Sequence, residues 1–181
     1  MDYEDVMVGT RTRYGTKLVM RTSTDEKGII KARSFSAVTN GGAYASHGHA
    51  VAGNMAKKYR YLYKQDALGF DVKTVYTNIA AAGAMRGYGI PQVKFGLEAH
   101  MDDIARELAI DPLEFRLKNI VDGDFVDKLS GARVHSYCLP ECIAKGRELI
   151  NWDEKRAKYN EPQFGNIRYG IGMACYTYET G

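Results

Sequence analysis

The sequence contains no long hydrophobic run, and this excludes the simplest membrane architectures. Of its 181 residues 45% are hydrophobic, but no stretch approaches the roughly 20 consecutive apolar residues that a spanning helix needs. The first residues, Met1–Asp5, carry acids where a secretory signal has its positive charges, and no apolar segment follows them. We therefore expect a cytoplasmic protein with no membrane role.

Cysteine is scarce. The chain has three, Cys138, Cys142 and Cys175, which cannot all pair within one chain. The CxxxC spacing of the first two is not accompanied by a second pair, so neither a zinc site nor an iron–sulfur ligand set is predicted. We expect buried or half-buried thiols, with Cys142 in the first turns of a helix.

A concentration of charge of one sign is also missing. The net charge is +3, from 25 Lys and Arg against 22 Asp and Glu. Each short basic cluster is interrupted or balanced by acids, whereas a nucleic-acid-binding domain gathers its basic residues on one face. A nucleic-acid partner is therefore not expected.

The patterns that are present predict an α+β fold. Polar–apolar alternation on both sides of the turn residues 25–28 indicates a β-hairpin over Lys17–Asn40. The order of elements, a hairpin followed by strands, helices and a final strand, favours α+β. The other predicted elements are strands over 59–63, 70–77 and 168–178, and helices over 50–57, 91–109, from 111, and over 139–152.

One segment combines features that suit ligand binding. Residues 84–92 (AMRGYGIPQ) join a predicted strand to a predicted helix. They offer an arginine, an aromatic ring, two glycines and a helix N-terminus, whose backbone N–H groups can hold an anionic or oxo ligand. A tight structural turn is the alternative.

His47 and His49 could share a metal, although no third ligand is evident and simple loop packing remains the alternative.

Several segments, in order, resemble the xanthine dehydrogenase and aldehyde oxidase family. Residues 77–78 (TN) followed by 83–92 (GAMRGYGIPQ) are similar to the family signature TN…AFRGFGxPQ. Since the resemblance covers essentially the whole chain, it is more specific than a single motif. Further matching segments are 10–13 (TRTR), 40–48 (NGGAYASHG), 98–102, 108–119, 139–142 and 170–174.

The resemblance implies that residues 1–181 form part of a molybdenum-binding domain, a mixed β-sheet with helices packed on it. Family members hydroxylate an aldehyde or N-heteroaromatic carbon with oxygen from water, using molybdenum in a molybdopterin cofactor, here expected in its cytosine dinucleotide form. Electrons leave through [2Fe–2S] clusters and FAD on other domains or subunits. By position, Arg86 and Gly87 contact the cofactor, Tyr88 stacks on the substrate, and Ala84 lines the same wall.

The chain departs from some branches of the family. Mammalian xanthine enzymes hold the purine with an arginine, and ungapped alignment places Asn54 at that position. Asn54 is therefore a candidate substrate contact, but purine specificity is not implied there. The loop around Arg86 has no cysteine, which separates it from the carbon monoxide dehydrogenases.

The resemblance also predicts that this chain is an internal fragment, inactive alone. The family's glycine-rich pterin-binding segment would precede residue 1 and its catalytic glutamate would follow residue 181, so no catalytic residue is expected here. The final predicted strand also reaches the last residues without a terminating element. The expected parent is a xanthine dehydrogenase-like subunit that acts with iron–sulfur and FAD subunits on a purine or other N-heterocycle. The alternatives are an aldehyde or nicotinate-type hydroxylase, and a non-catalytic binding or assembly module.

Overall fold

A computed structural model describes residues 2–128, 130–134 and 136–178. The strands of the described part all lie within the first 76 residues of the chain, and the elements after them are helices. In chain order the elements are α1 (Tyr3–Gly9), β1 (Gly15–Thr24), β2 (Ile30–Gly42), α2 (Gly48–Tyr59), β3 (Ala67–Tyr76), α3 (Ile90–Glu107), α4 (Pro112–Asn119), α5 (Leu139–Leu149) and α6 (Trp152–Asn160).

The predicted hairpin is confirmed. Strands β1 and β2 pair antiparallel, with Gly15 opposite Asn40 and Met20 opposite Phe35. Asp25 closes the turn because its Oδ1 accepts hydrogen bonds from two backbone N–H groups, that of Lys27 at 3.0 Å and that of Ile29 at 2.9 Å. Turn chemistry in the sequence was therefore sufficient to fix this element.

The sheet is mixed, as the resemblance implied. Its order is β1-β2-β3, and β3 runs parallel to β2. Parallel neighbours need a crossover connection, which α2 supplies here. The predicted strand over 70–77 is the greater part of β3, and the predicted helix over 50–57 lies within α2. These features confirm the α+β class.

Helix α3 is the element around which the core forms. Its buried side chains recur at helical spacing, as in Val93, Leu97 and Met101. They pack with residues from β2, α2, α4, α5 and α6, among them Phe35, Met55, Tyr59, Leu113, Phe115, Ile143 and Trp152. None of the helices in the described ranges is long and apolar enough to cross a membrane.

A buried carboxylate ties α3 to three other parts of the chain. Glu98, only 6% exposed, accepts hydrogen bonds from the Tyr63 hydroxyl at 2.6 Å, from Nε of Arg116 on α4 at 2.9 Å, and from the Cys175 backbone N–H at 2.8 Å. Arg116 is fully buried and also binds Asp102 through Nη1 at 2.7 Å. A buried charge is tolerated when it is paired and hydrogen-bonded in this way.

Two predicted strands are wrong. Residues 60–63 form no strand, because the chain leaves α2 at Tyr59 and makes only an isolated bridge between Tyr63 and Ile120. Tyr59 and Tyr63 are instead buried in the core. Residues 168–178 are irregular, since within the described ranges their backbone pairs with no strand and the Cys175 N–H is satisfied by Glu98. The predicted continuation through 179–181 lies outside the described residues.

The helix predicted over 139–152 is interrupted. Asn151 has φ +52°, in the left-handed region that asparagine tolerates better than most residues, and it separates α5 from α6.

The expectation for the cysteines is partly wrong. Cys175 is buried, whereas Cys138 and Cys142 are exposed at the start of α5, because only one side of this short helix contacts the core, through Ile143.

Replacing Arg116 with methionine tests the buried network. We expect Arg116→Met to lower the free energy of unfolding by about 3–5 kcal/mol, because Glu98 would be left buried without its cation. Urea denaturation followed by circular dichroism measures this change. Arg106→Met is the matched control, since Arg106 lies on α3 in an exposed ion pair with Asp103 and its loss should cost less than about 1 kcal/mol. Equal costs for the two variants would contradict the assigned role of Arg116.

Candidate functional site

The segment that the sequence singled out forms a tight loop before α3. Gly87, Tyr88 and Gly89 all have positive φ, at +93°, +43° and +93°. A β-carbon on Gly89 would lie 2.7 Å from the Val51 carbonyl oxygen, so glycine is required for close packing as well as for conformation. Tyr88 adopts a conformation that side-chain-bearing residues avoid, and such strain persists only when surrounding contacts enforce it.

Three side chains supply those contacts. Nδ2 of Asn54 on α2 donates to the Tyr88 carbonyl oxygen at 2.6 Å, and Nδ1 of His47 lies 2.8 Å from the Tyr88 hydroxyl. Nη2 of Arg13, just before β1, donates to the Arg86 carbonyl oxygen at 2.9 Å. The loop is therefore held by Arg13, next to the sheet, and by His47 and Asn54, at the start of α2 and within it.

Several backbone donors in this loop have no partner among the described residues, and two of them belong to the predicted cofactor contacts. Across residues 2–128, 130–134 and 136–178, no hydrogen-bond acceptor meets the N–H of Arg86 or of Gly87. Both residues precede the N-terminus of α3, where the helix dipole favours negative charge. The arrangement suits an anionic or oxygen-rich ligand.

Arg86 and Gly87 lie at one end of a groove of about 780 Å³. The groove runs between α3 and the extended segment 172–178, and its walls are mainly apolar. Lys94 and Glu98 are its charged residues nearest the core. The walls include Ile90, Pro91, Phe95, Met173, Tyr176 and Tyr178.

Lys94 is a buried residue of the groove whose side chain makes no hydrogen bond to the described residues. Its side chain is 5% exposed, and Nζ has no hydrogen-bond partner within the described residues. Burial lowers the pKa of Lys94 to about 7, helped by the charge of Arg33 and opposed by that of Glu98. Glu98 makes no hydrogen bond to Nζ, and its carboxylate accepts from three other donors.

The structure separates the predicted site residues into two groups. Arg86 and Gly87, the expected cofactor contacts, line the groove. Tyr88 and Asn54, the expected substrate contacts, contact each other through the Tyr88 carbonyl and do not line it. Ala84 is exposed in the loop. Their assignment to cofactor and substrate stays a prediction.

The two histidines considered as a metal pair are both exposed. His47 binds the Tyr88 hydroxyl and meets that ring edge to face, with 5.8 Å between centroids. The described residues contain no group of three or more His, Cys, Asp or Glu side chains placed to hold a metal ion. His47 therefore packs against Tyr88 and holds the loop.

Sequence reasoning missed Lys94 and Glu98 as site residues. The signal was present, because both lie on the face of α3 that carries the apolar residues Ile90, Val93 and Leu97. A cation and an acid four residues apart on such a face indicate either a buried pair or a ligand contact. The structure excludes a direct pair and leaves Lys94 available.

Comparison with known proteins decides the family. The sequence profile of the molybdopterin cofactor-binding domain matches residues 1–120. This chain belongs to that family. It is 42% identical over 175 residues to the xanthine dehydrogenase molybdenum-binding subunit of Escherichia coli O157:H7, with 97% of this chain and 23% of that relative covered.

Other members of the molybdopterin cofactor-binding family are more distant. The nicotinate dehydrogenase large molybdopterin subunit of Eubacterium barkeri is 32% identical over 138 residues, 75% of this chain and 32% of that relative. The aldehyde oxidoreductase of Desulfovibrio gigas superposes with a TM-score of 0.78 at 25% identity, over 87% of this chain and 17% of that chain. The chain thus spans about a quarter of the xanthine dehydrogenase subunit that it matches.

The loop geometry gives a direct test at Gly89. We expect Gly89→Ala to destabilise the protein by more than the roughly 1–2 kcal/mol that a left-handed conformation costs a residue with a side chain, because the new methyl group would collide with Val51. Thermal denaturation measures the effect. Gly165→Ala is the matched control, since Gly165 also has positive φ, +89°, but has open space around it. Comparable losses in both variants would show that close packing at Gly89 is unimportant.

Proposed function

We propose that this chain is part of the molybdenum-binding subunit of a xanthine dehydrogenase-like hydroxylase. The observation that carries the proposal is the pair of unpartnered backbone N–H groups at Arg86 and Gly87, in a chain of the molybdopterin cofactor-binding family. The proposed substrate is a purine or another N-heterocycle. An aldehyde or nicotinate-type substrate is the alternative, which the names of two relatives favour.

The residues of the loop fit the proposed cofactor. Glycine at position 87 is required by its positive φ and by the Pro91 ring, which would lie 2.8 Å from a β-carbon there. The N–H groups of Arg86 and Gly87 can donate to an oxygen-rich ligand. Arg86 and Gly87 are therefore the residues that would hold the cofactor. When bound, the molybdenum cofactor supplies the two-electron oxidation that inserts water-derived oxygen into a carbon–hydrogen bond.

The residues of this chain contribute by holding the loop backbone in position. Asn54 and Arg13 hold the carbonyl groups of Tyr88 and Arg86, which fixes the N–H groups without reorganisation during the reaction, the condition under which such donors are most effective. Tyr88 presents a ring that could stack on a flat substrate, and Ala84 leaves the space beside it open. In this proposal Asn54 acts on substrate through Tyr88.

The proposal extends to the remaining partners. A hydroxylase of this kind passes electrons from molybdenum to [2Fe–2S] clusters and FAD, which we place on other domains or subunits. We propose the cytosine dinucleotide form of molybdopterin and a cytoplasmic location. The support for these points is the likeness to bacterial enzyme subunits of which this chain spans a minor part.

Oxygen labelling tests the reaction. The protein, purified with its native partners, is incubated in ¹⁸O-labelled water with xanthine, benzaldehyde or nicotinate and an artificial electron acceptor. We expect one labelled oxygen in the product and the highest turnover with xanthine. Oxygen drawn from O₂ would contradict the hydroxylase proposal, and lack of turnover with all three substrates would favour the non-catalytic module.

Tyr88 provides a test of substrate stacking. We expect Tyr88→Ala to lower kcat/KM about tenfold, since aromatic stacking contributes up to roughly 1.5 kcal/mol, while the molybdenum content stays at the wild-type level. Tyr88→Phe is the control, because it keeps the ring and removes only the hydroxyl contact with His47. Loss of molybdenum as the main effect of Tyr88→Ala would refute the stacking role.

A further inference from the structure

The groove beside α3 contains a buried cation that nothing in the proposed reaction uses. Lys94 lies one to two turns into α3, and its Nζ has no partner within the described residues. A buried polar group without a hydrogen bond is costly, and a buried ammonium group more so. Such groups are few in native structures, and each calls for an explanation.

Neither acid of the groove is in contact with Lys94. Glu98 accepts from the Tyr63 hydroxyl, Arg116 and the Cys175 N–H. Asp102, the other acid of the groove, binds Nη1 of Arg116 at 2.7 Å. Of the two cations that line the groove, Arg86 is exposed to solvent and Lys94 is buried without a hydrogen-bond partner among the described residues. One buried cation matches a ligand with one negative charge.

The walls define the rest of the ligand. Ile90, Pro91 and Met173 give them an apolar surface, and the exposed rings of Phe95 and Tyr176 stand along the opening. A volume of about 780 Å³ is within the range of small-molecule sites, which are mostly apolar with a few polar groups that fix orientation. Inorganic phosphate would leave this apolar surface unused.

We propose that the groove between α3 and segment 172–178 binds a small aromatic monocarboxylate, whose carboxylate pairs with Nζ of Lys94 while its ring packs against the apolar walls. This inference concerns binding rather than the hydroxylation reaction, and it stands whether or not the chain acts with molybdenum. The ligand class follows from the buried, unpaired Lys94 and from the aromatic lining.

Proton linkage makes the site sensitive to pH. The pKa of Lys94 is set by burial together with the groups that face it: Arg33 on β2, Lys58 on α2, Glu98 on α3 and Cys175 on the extended segment. A carboxylate binds the protonated amine, so affinity should be full below pH 7 and fall as the pH rises through it. For a pKa of about 7, affinity should be about tenfold weaker at pH 8 than at pH 6.

Calorimetry with benzoate tests this site. The protein, with its native partners, is prepared from molybdate-starved cells so that the cofactor is absent, and benzoate is titrated at pH 6 and pH 8. We expect binding that weakens about tenfold over this interval and that Lys94→Met weakens at least tenfold at pH 6. Lys73→Met, at an exposed lysine on β3, should bind as the wild type does. Benzamide, which is uncharged, should bind weakly at both pH values.

Nuclear magnetic resonance of the Lys94 side chain gives an independent reading if Lys94→Met does not fold. Benzoate should raise the pKa of Lys94 in the wild-type protein. Unchanged benzoate affinity in folded Lys94→Met, an affinity independent of pH, or stronger binding of inorganic phosphate than of benzoate would each overturn the proposal. Because no turnover is measured, these outcomes are separate from failure of the hydroxylase proposal.

Discussion

The pairing of Glu98 with Arg116 is the constraint on which the rest of the structure depends. Through one carboxylate, α3 is joined to α4, to the tyrosine-rich turn after α2 and to the extended segment near Cys175. Each contact is directional and buried, so the groove on this side of α3 has walls at fixed positions. Lys94 lies one turn before Glu98 on α3, and its Nζ has no hydrogen-bond partner among the described residues.

The loop before α3 has a strained backbone that neighbouring side chains hold in place. Arg13 holds the carbonyl of Arg86, and Asn54 and His47 hold Tyr88, in a loop with three consecutive positive-φ residues. Within the described part of the chain, the N–H groups of Arg86 and Gly87 meet no acceptor, and both precede a helix N-terminus. A loop this constrained needs no rearrangement to receive a ligand, which is the condition for effective electrostatic stabilisation. Membership of the molybdopterin cofactor-binding family supports the cofactor that we propose as this ligand.

Local signals predicted the parts of the fold that depend on local interactions. The Asp25 turn, the Asp111 cap of α4 and the apolar spacing of α3 can each be read within a few residues, and each is confirmed. The errors arose where tertiary contacts decide. The chain at 60–63 and the segment 168–178 have strand-like composition, but neither pairs with a neighbouring strand among the described residues. Lys94 was missed because its burial depends on tertiary contacts, including the packing of the segment near Cys175 against α3, 77 positions beyond Glu98.

The molybdenum content of the chain in its native complex tests the account most directly. The complex, recovered with an antibody against this chain, is analysed by elemental mass spectrometry. The account predicts about one molybdenum atom per polypeptide, since each copy contributes one loop with the Arg86 and Gly87 donors. Absence of molybdenum from a full-length, correctly matured polypeptide would contradict it, and the protein would then retain the family's fold for binding alone.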